Sequence, residues 1–135
     1  MRHAICYVST AHSDLSQHQI ETLLNLSKER NEPLDIKGVL LYSEGNFFQI
    51  MEGEKDTVLE VFKKIEKDPR HYGLIQIMGS DIAQGSCDGY KVDILSDKHK
   101  HGYEIPQEYL VPLQGISPKV KIPMEKMLRM FIATR

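Results

Sequence analysis

The sequence predicts an α+β fold: a ferredoxin-like sandwich, β-α-β-β-α-β-β, with a short C-terminal helical tail. Three observations carry this reading. Five short segments are continuously apolar or alternate with period two, as strands do. Two longer segments repeat apolar residues at helical spacing, with charge on the opposite side. Their order lays two helices on one face of a mainly antiparallel sheet. Many unrelated activities share that architecture, so it does not supply a function.

The first strand spans His3 to Thr10, where Ile5, Tyr7 and Ser9 alternate with Ala4, Cys6 and Val8. Both sets are largely uncharged, as expected of a central strand covered on both faces. Ser16 and Gln19 then form an S-x-x-Q capping box, with Leu15 and Ile20 placed as a hydrophobic staple. Ile20, Leu23, Leu24 and Ser27 continue at helical spacing until Pro33 ends the helix. Ile36 to Tyr42 and Phe47 to Met51 flank the turn Ser43-Glu44-Gly45-Asn46 and read as a β-hairpin. A second helix runs from about Asp56 to Lys67, with Val58, Val61, Phe62 and Ile65 as its apolar stripe, and Asp68-Pro69 stops it. Leu74 to Met78 is a fourth strand, and Tyr90 to Leu95 a weaker fifth one. Pro106, Pro112, Gly115, Pro118 and Pro123 then signal loops, and Met124 to Ile132 suits a short helix with Met127, Leu128 and Phe131 on one face.

A chain of 135 residues, 41% of them hydrophobic, fits one domain with one core. No stretch approaches the roughly 20 apolar residues of a membrane-spanning helix, so no membrane partner is expected. The N-terminus lacks the apolar region and cleavage site of a secretory signal, which points to the cytoplasm. Cys6 and Cys87 are too few for a disulfide framework and too far apart for a C-x-x-C motif. A net charge of −2 without a dense basic patch argues against a nucleic-acid partner. The run Lys98-His99-Lys100-His101 is flanked by Asp97 and Glu104 and reads as a solvated loop; a His-x-His metal site is its alternative, and no metal ligand is assigned. No nucleophile elbow, phosphate loop, zinc motif or kinase set is present, so no enzyme is expected.

What stands out is a set of polar residues where a core would favour apolar ones. Tyr7 and Ser9 share one face of the first strand, and Gln49 shares its face with Phe47 and Met51. Taken singly, each has an ordinary reading: Tyr7 a core tyrosine with its hydroxyl satisfied, Gln49 an edge-strand residue meeting water, Asn31 a helix C-cap. If Gln49 is inside, it needs partners, because a buried unpaired amide costs about 1–3 kcal/mol.

Together with their surroundings these residues form ordered blocks: Cys6-Tyr7-Val8-Ser9, Arg30-Asn31, Ile36 to Tyr42, Gly45 to Gly53, and Asp68-Pro69-Arg70-His71. The blocks resemble, in order and spacing, the signature of BLUF domains, which sense blue light using FAD. The resemblance covers residues 1–95, read as a flavin-binding sensor domain, and leaves 96–135 as a C-terminal cap or tail with no separate effector domain. It implies that Tyr7 is the photoactive tyrosine, which gives an electron and proton to the excited flavin, and that Gln49 is the switching glutamine beside it. It further implies that Asn31 meets the pyrimidine edge of the ring and that Arg70 and His71 contact its polar side. Leu23, Phe47 and Ile65 would pack on the ring, and Ser9 would match the serine two residues after the tyrosine. The flavin and an unidentified downstream protein are the implied partners, with self-association as the other output route. The tail, including Met124, Met127, Leu128, Met130 and Phe131, is the candidate for the surface that changes; its alternative is a helix packed permanently over the sheet.

The residue types suit that task. A flat, mostly apolar ring needs a slot lined by aliphatic side chains. Its edge carries acceptors and an N–H donor, which Asn and Gln can match because each both donates and accepts.

The sequence departs from the family on strand five. Tyr90-Lys91-Val92 stands where a W-x-M element is usual, the chain has no Trp, and the Arg and Phe that normally precede it are missing from Ser86-Cys87-Asp88-Gly89. Lys37 replaces the usual Thr before Gly38. These changes put the relay from Gln49 to strand five in doubt. They keep open a second reading, a flavin-binding interaction module that has lost light signalling. A third, an acyl-phosphate hydrolase on the same fold, would need a Gly-rich, Arg-bearing loop after strand one, where the chain has Ala11-His12-Ser13-Asp14.

Overall fold

The computed structural model describes residues 1–82, 90–95, 107–113, 116 and 118–133. Its elements are β1 (Arg2–Ala11), α1 (Gln17–Asn31), β2 (Lys37–Ser43), β3 (Asn46–Glu54), α2 (Lys55–Glu66), β4 (His71–Ile82), β5 (Tyr90–Ile94), α3 (Gln107–Leu110) with a 3-10 turn at Val111–Leu113, and α4 (Pro118–Ala133). The five strands form one sheet in the order β4-β1-β3-β2-β5, antiparallel except for the β2–β5 pair. The α+β sandwich expected from the sequence is the fold observed.

Local chemistry explains the first half. The Ser16 side chain accepts from the Gln19 backbone N–H while the Gln19 side chain accepts from the Ser16 N–H, so α1 starts where the capping box places it. Glu54 caps α2 in the same sense, its carboxylate accepting from Thr57. Gly38 lies in β2 at φ 140, and a Cβ there would meet the Ile50 carbonyl oxygen at 1.9 Å. Only glycine lets β2 close onto β3 at this point.

Period-two alternation divides the core between the two faces of the sheet. On one face α2 covers Ile5, Tyr7 and Met51, while α1 covers Leu40, Phe47 and Tyr90. On the other face α4 lays Val120, Met124, Leu128, Phe131 and Ile132 over Cys6, Val39, Leu41, Phe48 and Ile50.

Several expectations need correction. β4 runs from His71 to Ile82, well beyond Leu74–Met78. Its polar far end, Gly79-Ser80-Asp81, carries no apolar period and is held by backbone pairing to β1. α4 begins at Pro118 rather than Met124, and Pro123 lies inside it. Pro118 fits a helix start, where its missing N–H has no partner to lose; Pro123 forfeits one intrahelical bond, outweighed by the buried stripe. The stretch around Pro112 is not all loop, because Tyr109 and Leu113 bury against the sheet as α3 and the 3-10 turn. Of the tail residues offered as a changing surface, Met124, Leu128 and Phe131 are inside, Met127 is partly buried and Met130 is exposed, so α4 packs over the sheet as the alternative reading has it. Cys87 and the Lys98–His101 run lie outside the described residues. No helix among the described residues is long and apolar enough to cross a membrane.

Candidate functional site

Tyr7 and Gln49 are direct partners in the β1–β3 register, so their side chains leave the sheet side by side on the face covered by α1 and α2. The register between β1 and β4 shifts at Cys6/Tyr7, a bulge of the kind that re-aims a side chain. Gln49 is 1% exposed and its Nε2 donates to the Tyr7 hydroxyl at 2.6 Å. β3 is an inner strand, so Gln49 is not the edge residue that its type alone suggests. Burial raises the Tyr7 phenol well above the usual range, an effect that the Gln49 hydrogen bond and the Arg30 charge only partly offset.

Beside this pair the packing divides between α1 and α2 and leaves a narrow cleft. α1 lines it with Leu23, Ser27 and Arg30, the end of α2 with Ile65, and the sheet with Tyr7, Leu40, Phe47 and Gln49. Asp68, Arg70 and His71 close the polar end. Seven of the nine residues expected at a site therefore converge on one cleft: Tyr7, Leu23, Phe47, Gln49, Ile65, Arg70 and His71.

The other two, Ser9 and Asn31, do not line the cleft. Ser9 stands behind His71, with its Oγ 2.7 Å from Nδ1, while His71 Nε2 lies 2.6 Å from the Ile65 carbonyl. A carbonyl only accepts, so Nε2 carries a proton, and in the neutral ring Nδ1 then accepts from Ser9. Asn31 is fully buried behind Arg30, whose Nε donates to its Oδ1 at 2.9 Å. The Asn31 side chain also faces the Tyr90 hydroxyl, but no well-formed hydrogen bond from the described residues reaches its Nδ2.

Arg70 holds Asp68 through Nε at 2.9 Å and Nη2 at 2.6 Å. These bonds pull the Asp68 carboxyl below its ordinary value.

Ser27, Arg30, Leu40, Asp68 and Tyr90 belong to the site or touch it, yet sequence reasoning did not assign them. Each carried a signal. Ser27 sits on the α1 stripe, Arg30 and Asp68 adjoin the motif residues Asn31 and Arg70, Leu40 pairs with Gln49, and Tyr90 alternates with Val92 and Ile94.

A family model described as "Sensors of blue-light using FAD" matches residues 3–91, a span that holds every site residue named above. The chain belongs to the BLUF family. The BLUF match extends to the blue light- and temperature-regulated antirepressor BluF of Escherichia coli, 31% identical over 74 residues, which cover 55% of this chain and 18% of that protein. It also extends to the photoactivated adenylate cyclase subunit beta of Euglena longa, 34% identical over 80 residues, covering 59% of this chain and 9% of that protein. The chain thus spans under a fifth of the length of these relatives. Among solved structures, Klebsiella pneumoniae BlrP1 with FMN and cyclic diGMP superposes with a TM-score of 0.74 at 26% identity, over 98% of this chain and 35% of that one.

The family's flavin suits the residues present. Leu23, Leu40, Phe47 and Ile65 give the cleft apolar walls, and Arg30, Asp68 and His71 a polar rim. Hydrogen-bonding capacity is also left over. Among the described residues Gln49 uses two of its four positions, and Asn31 Nδ2 is a buried donor without a partner. A buried orphan costs about 1–3 kcal/mol, so a ligand that accepts from it gains accordingly.

Proposed function

We propose that this chain is a blue-light photoreceptor that holds FAD in the cleft between α1 and α2, with Tyr7 and Gln49 as its photoactive pair. The observation that carries the reading is the buried hydrogen bond from Gln49 to the Tyr7 hydroxyl at the wall of an otherwise largely apolar cleft. When bound, the flavin supplies the absorption of blue light and an electron-accepting excited state.

The chain's own residues do the rest. Leu23, Phe47 and Ile65 exclude water and fix the plane of the ring. Arg70 and His71 serve its polar side, Ser9 keeps His71 in place, and Asn31 offers the pyrimidine edge its unpartnered Nδ2. Burial disfavours the Tyr7 phenolate, so Tyr7 starts as a neutral phenol whose oxidation is coupled to loss of its proton. Gln49 has ends of opposite hydrogen-bonding sense, so its rotation or tautomerisation exchanges its partners at nearly constant volume. FAD, rather than FMN, is the flavin in the family description.

Output goes through a separate protein or through self-association, and requires that the dark and lit states bind that partner with different free energies. The purified chain, supplied with FAD or FMN, should take up flavin and show a reversible shift of the flavin bands under blue light. A protein that retains neither flavin overturns the reading. A yellow protein whose spectrum does not respond to light identifies a binding module without signalling.

A further inference from the structure

α4 carries a stripe that its packing on the sheet does not explain. Val120, Met124, Leu128 and Phe131 are buried, and on the other side of the helix Lys119, Ile122, Lys126 and Arg129 stand exposed at i, i+3, i+7 and i+10. Ile122 is 67% exposed, an apolar side chain set among three cations. Glu125, the one acid of this helix, pairs with Lys121 at 3.8 Å and not with the stripe.

α1 carries the counterpart. Glu21, Asn25, Glu29 and Glu32 are exposed at i, i+4, i+8 and i+11, ending on the C-cap. The two basic residues of α1 are drawn away from this stripe: Arg30 lines the cleft and donates to Asn31, and Lys28 is partly buried. Beside the stripe an open groove between α1 and β5 is lined by Glu21 and Asn25 and by the apolar, partly exposed Val92 and Ile94. At about 1.5 Å of rise per residue, the acidic stripe spans about 16 Å and the basic one about 15 Å.

We propose that the α4 stripe of one copy of this chain docks on the α1 stripe of the next, with Ile122 seated in the α1–β5 groove. α1 and α4 cover opposite faces of one sheet, so the two stripes cannot meet within a chain. They match in sign, in length and in having apolar surface beside the charge. A net charge of only −2 leaves little general repulsion between copies, so the local pattern decides. The contact is heterologous: a dimer keeps one free stripe of each kind, and further copies add to it. It gives the self-association route a surface on α1, the helix whose inner side lines the cleft with Leu23, Ser27 and Arg30. Its use as an output rests on the photoreceptor reading; the contact itself does not.

The test is sedimentation of the full chain over a concentration series, flavin-free and flavin-loaded in darkness. Mass should rise past that of a dimer as concentration rises. Raising the salt from about 0.1 M to about 1 M shortens the screening length from about 10 Å to about 3 Å and should weaken the association. A chain that stays monomeric throughout, or stops at a dimer, overturns the proposal. Two charge-reversed variants then locate the surfaces, Lys126→Glu with Arg129→Glu and Glu21→Lys with Glu29→Lys, all at exposed positions whose change leaves the core intact. Each variant alone should associate at least tenfold more weakly than the native chain, because like charges then face each other. Mixing the two should restore association, since each supplies the sign that the other lacks. Association that survives in either variant, or that mixing does not restore, overturns the proposal. Failure of the chain to bind flavin overturns the photoreceptor reading and leaves these outcomes intact.

Discussion

Tyr7 and Gln49 face one another across β1 and β3, and the Gln49 Nε2 donates to the Tyr7 hydroxyl over 2.6 Å inside the core. Replacing Tyr7 with Phe removes the acceptor and the oxidisable phenol while leaving the ring that packs near Phe62. The variant should lose about 1–3 kcal/mol of stability, because the buried Gln49 Nε2 is left without its acceptor. It should keep its flavin colour and lose the reversible light response. Absorption before and after illumination and a denaturant titration check these outcomes; a normal photocycle in this variant removes Tyr7 from the role assigned to it.

Gly38→Ala should be among the most damaging single changes in the sheet. The new methyl group would overlap the Ile50 carbonyl oxygen, and φ 140 is strained for any residue with a Cβ. Backbone, rather than a flexible side chain, would have to move. The expected loss is about 3 kcal/mol or more. A denaturant midpoint close to that of the parent chain would contradict the closeness of β2 and β3.

The Asp68–Arg70 pair predicts an acid-side loss of stability. Arg70 depresses the Asp68 carboxyl below its ordinary value of 3.8. A group depressed in the folded state stabilises above its unfolded pKa, and that contribution disappears as pH falls through the lower folded value. Arg70 is about half exposed, so solvent screens the pair and the effect is at most about 1 kcal/mol. Comparing unfolding of the parent and Asp68→Asn as pH is lowered should show the two curves converging in acid. Curves that stay parallel would mean the pair contributes nothing.

Much of this was legible in the sequence because the information was local. The capping box at Ser16 and Gln19 is a four-residue signal, and it forms as written. The alternation in β1 placed Tyr7 and Ser9 on one face and Cys6 on the other, and the structure agrees. Five of the seven cleft residues, Tyr7, Phe47, Gln49, Arg70 and His71, lie in the ordered sequence blocks, and Leu23 and Ile65 lie on the apolar stripes of the two helices, all within the span of the family match. What was not legible depends on distant pairing. β4 extends to Ile82 because β1 offers it a backbone ladder, although the residues there carry no period. α4 runs through Pro123 because its buried face outweighs one missing bond. Tyr90 reaches Gln49 across β2, a relation that no reading of β5 alone contains.

The far face of the sheet makes its own prediction. Leu128 is fully buried between α4 and the strands, so Leu128→Ala should cost about 2–5 kcal/mol. Met130 on the same helix is 55% exposed, and its replacement by Ala should change stability by no more than about 0.5 kcal/mol. Equal effects at the two positions would mean that α4 does not pack as described.

Burial raises the phenols of Tyr7, Tyr90 and Tyr109 above the usual value of 10.0. A raised folded pKa gives stability that is complete below the unfolded value and is lost as pH climbs through the folded one, since between the two only the unfolded chain ionises these groups. Tyrosinate absorbance should therefore appear for these three only together with unfolding. Their ionisation in the native protein would show that water reaches them.

The decisive measurement is the absorption spectrum of the flavin-loaded chain in darkness, under blue light and again in darkness, recorded for the native protein and for Gln49→Leu. The account predicts a shift of the flavin bands that forms in light and reverses in the dark in the native protein, and a bound flavin with no such shift in the variant. A native spectrum that light leaves unchanged, or a Gln49→Leu variant that shifts and recovers as the native chain does, would contradict it.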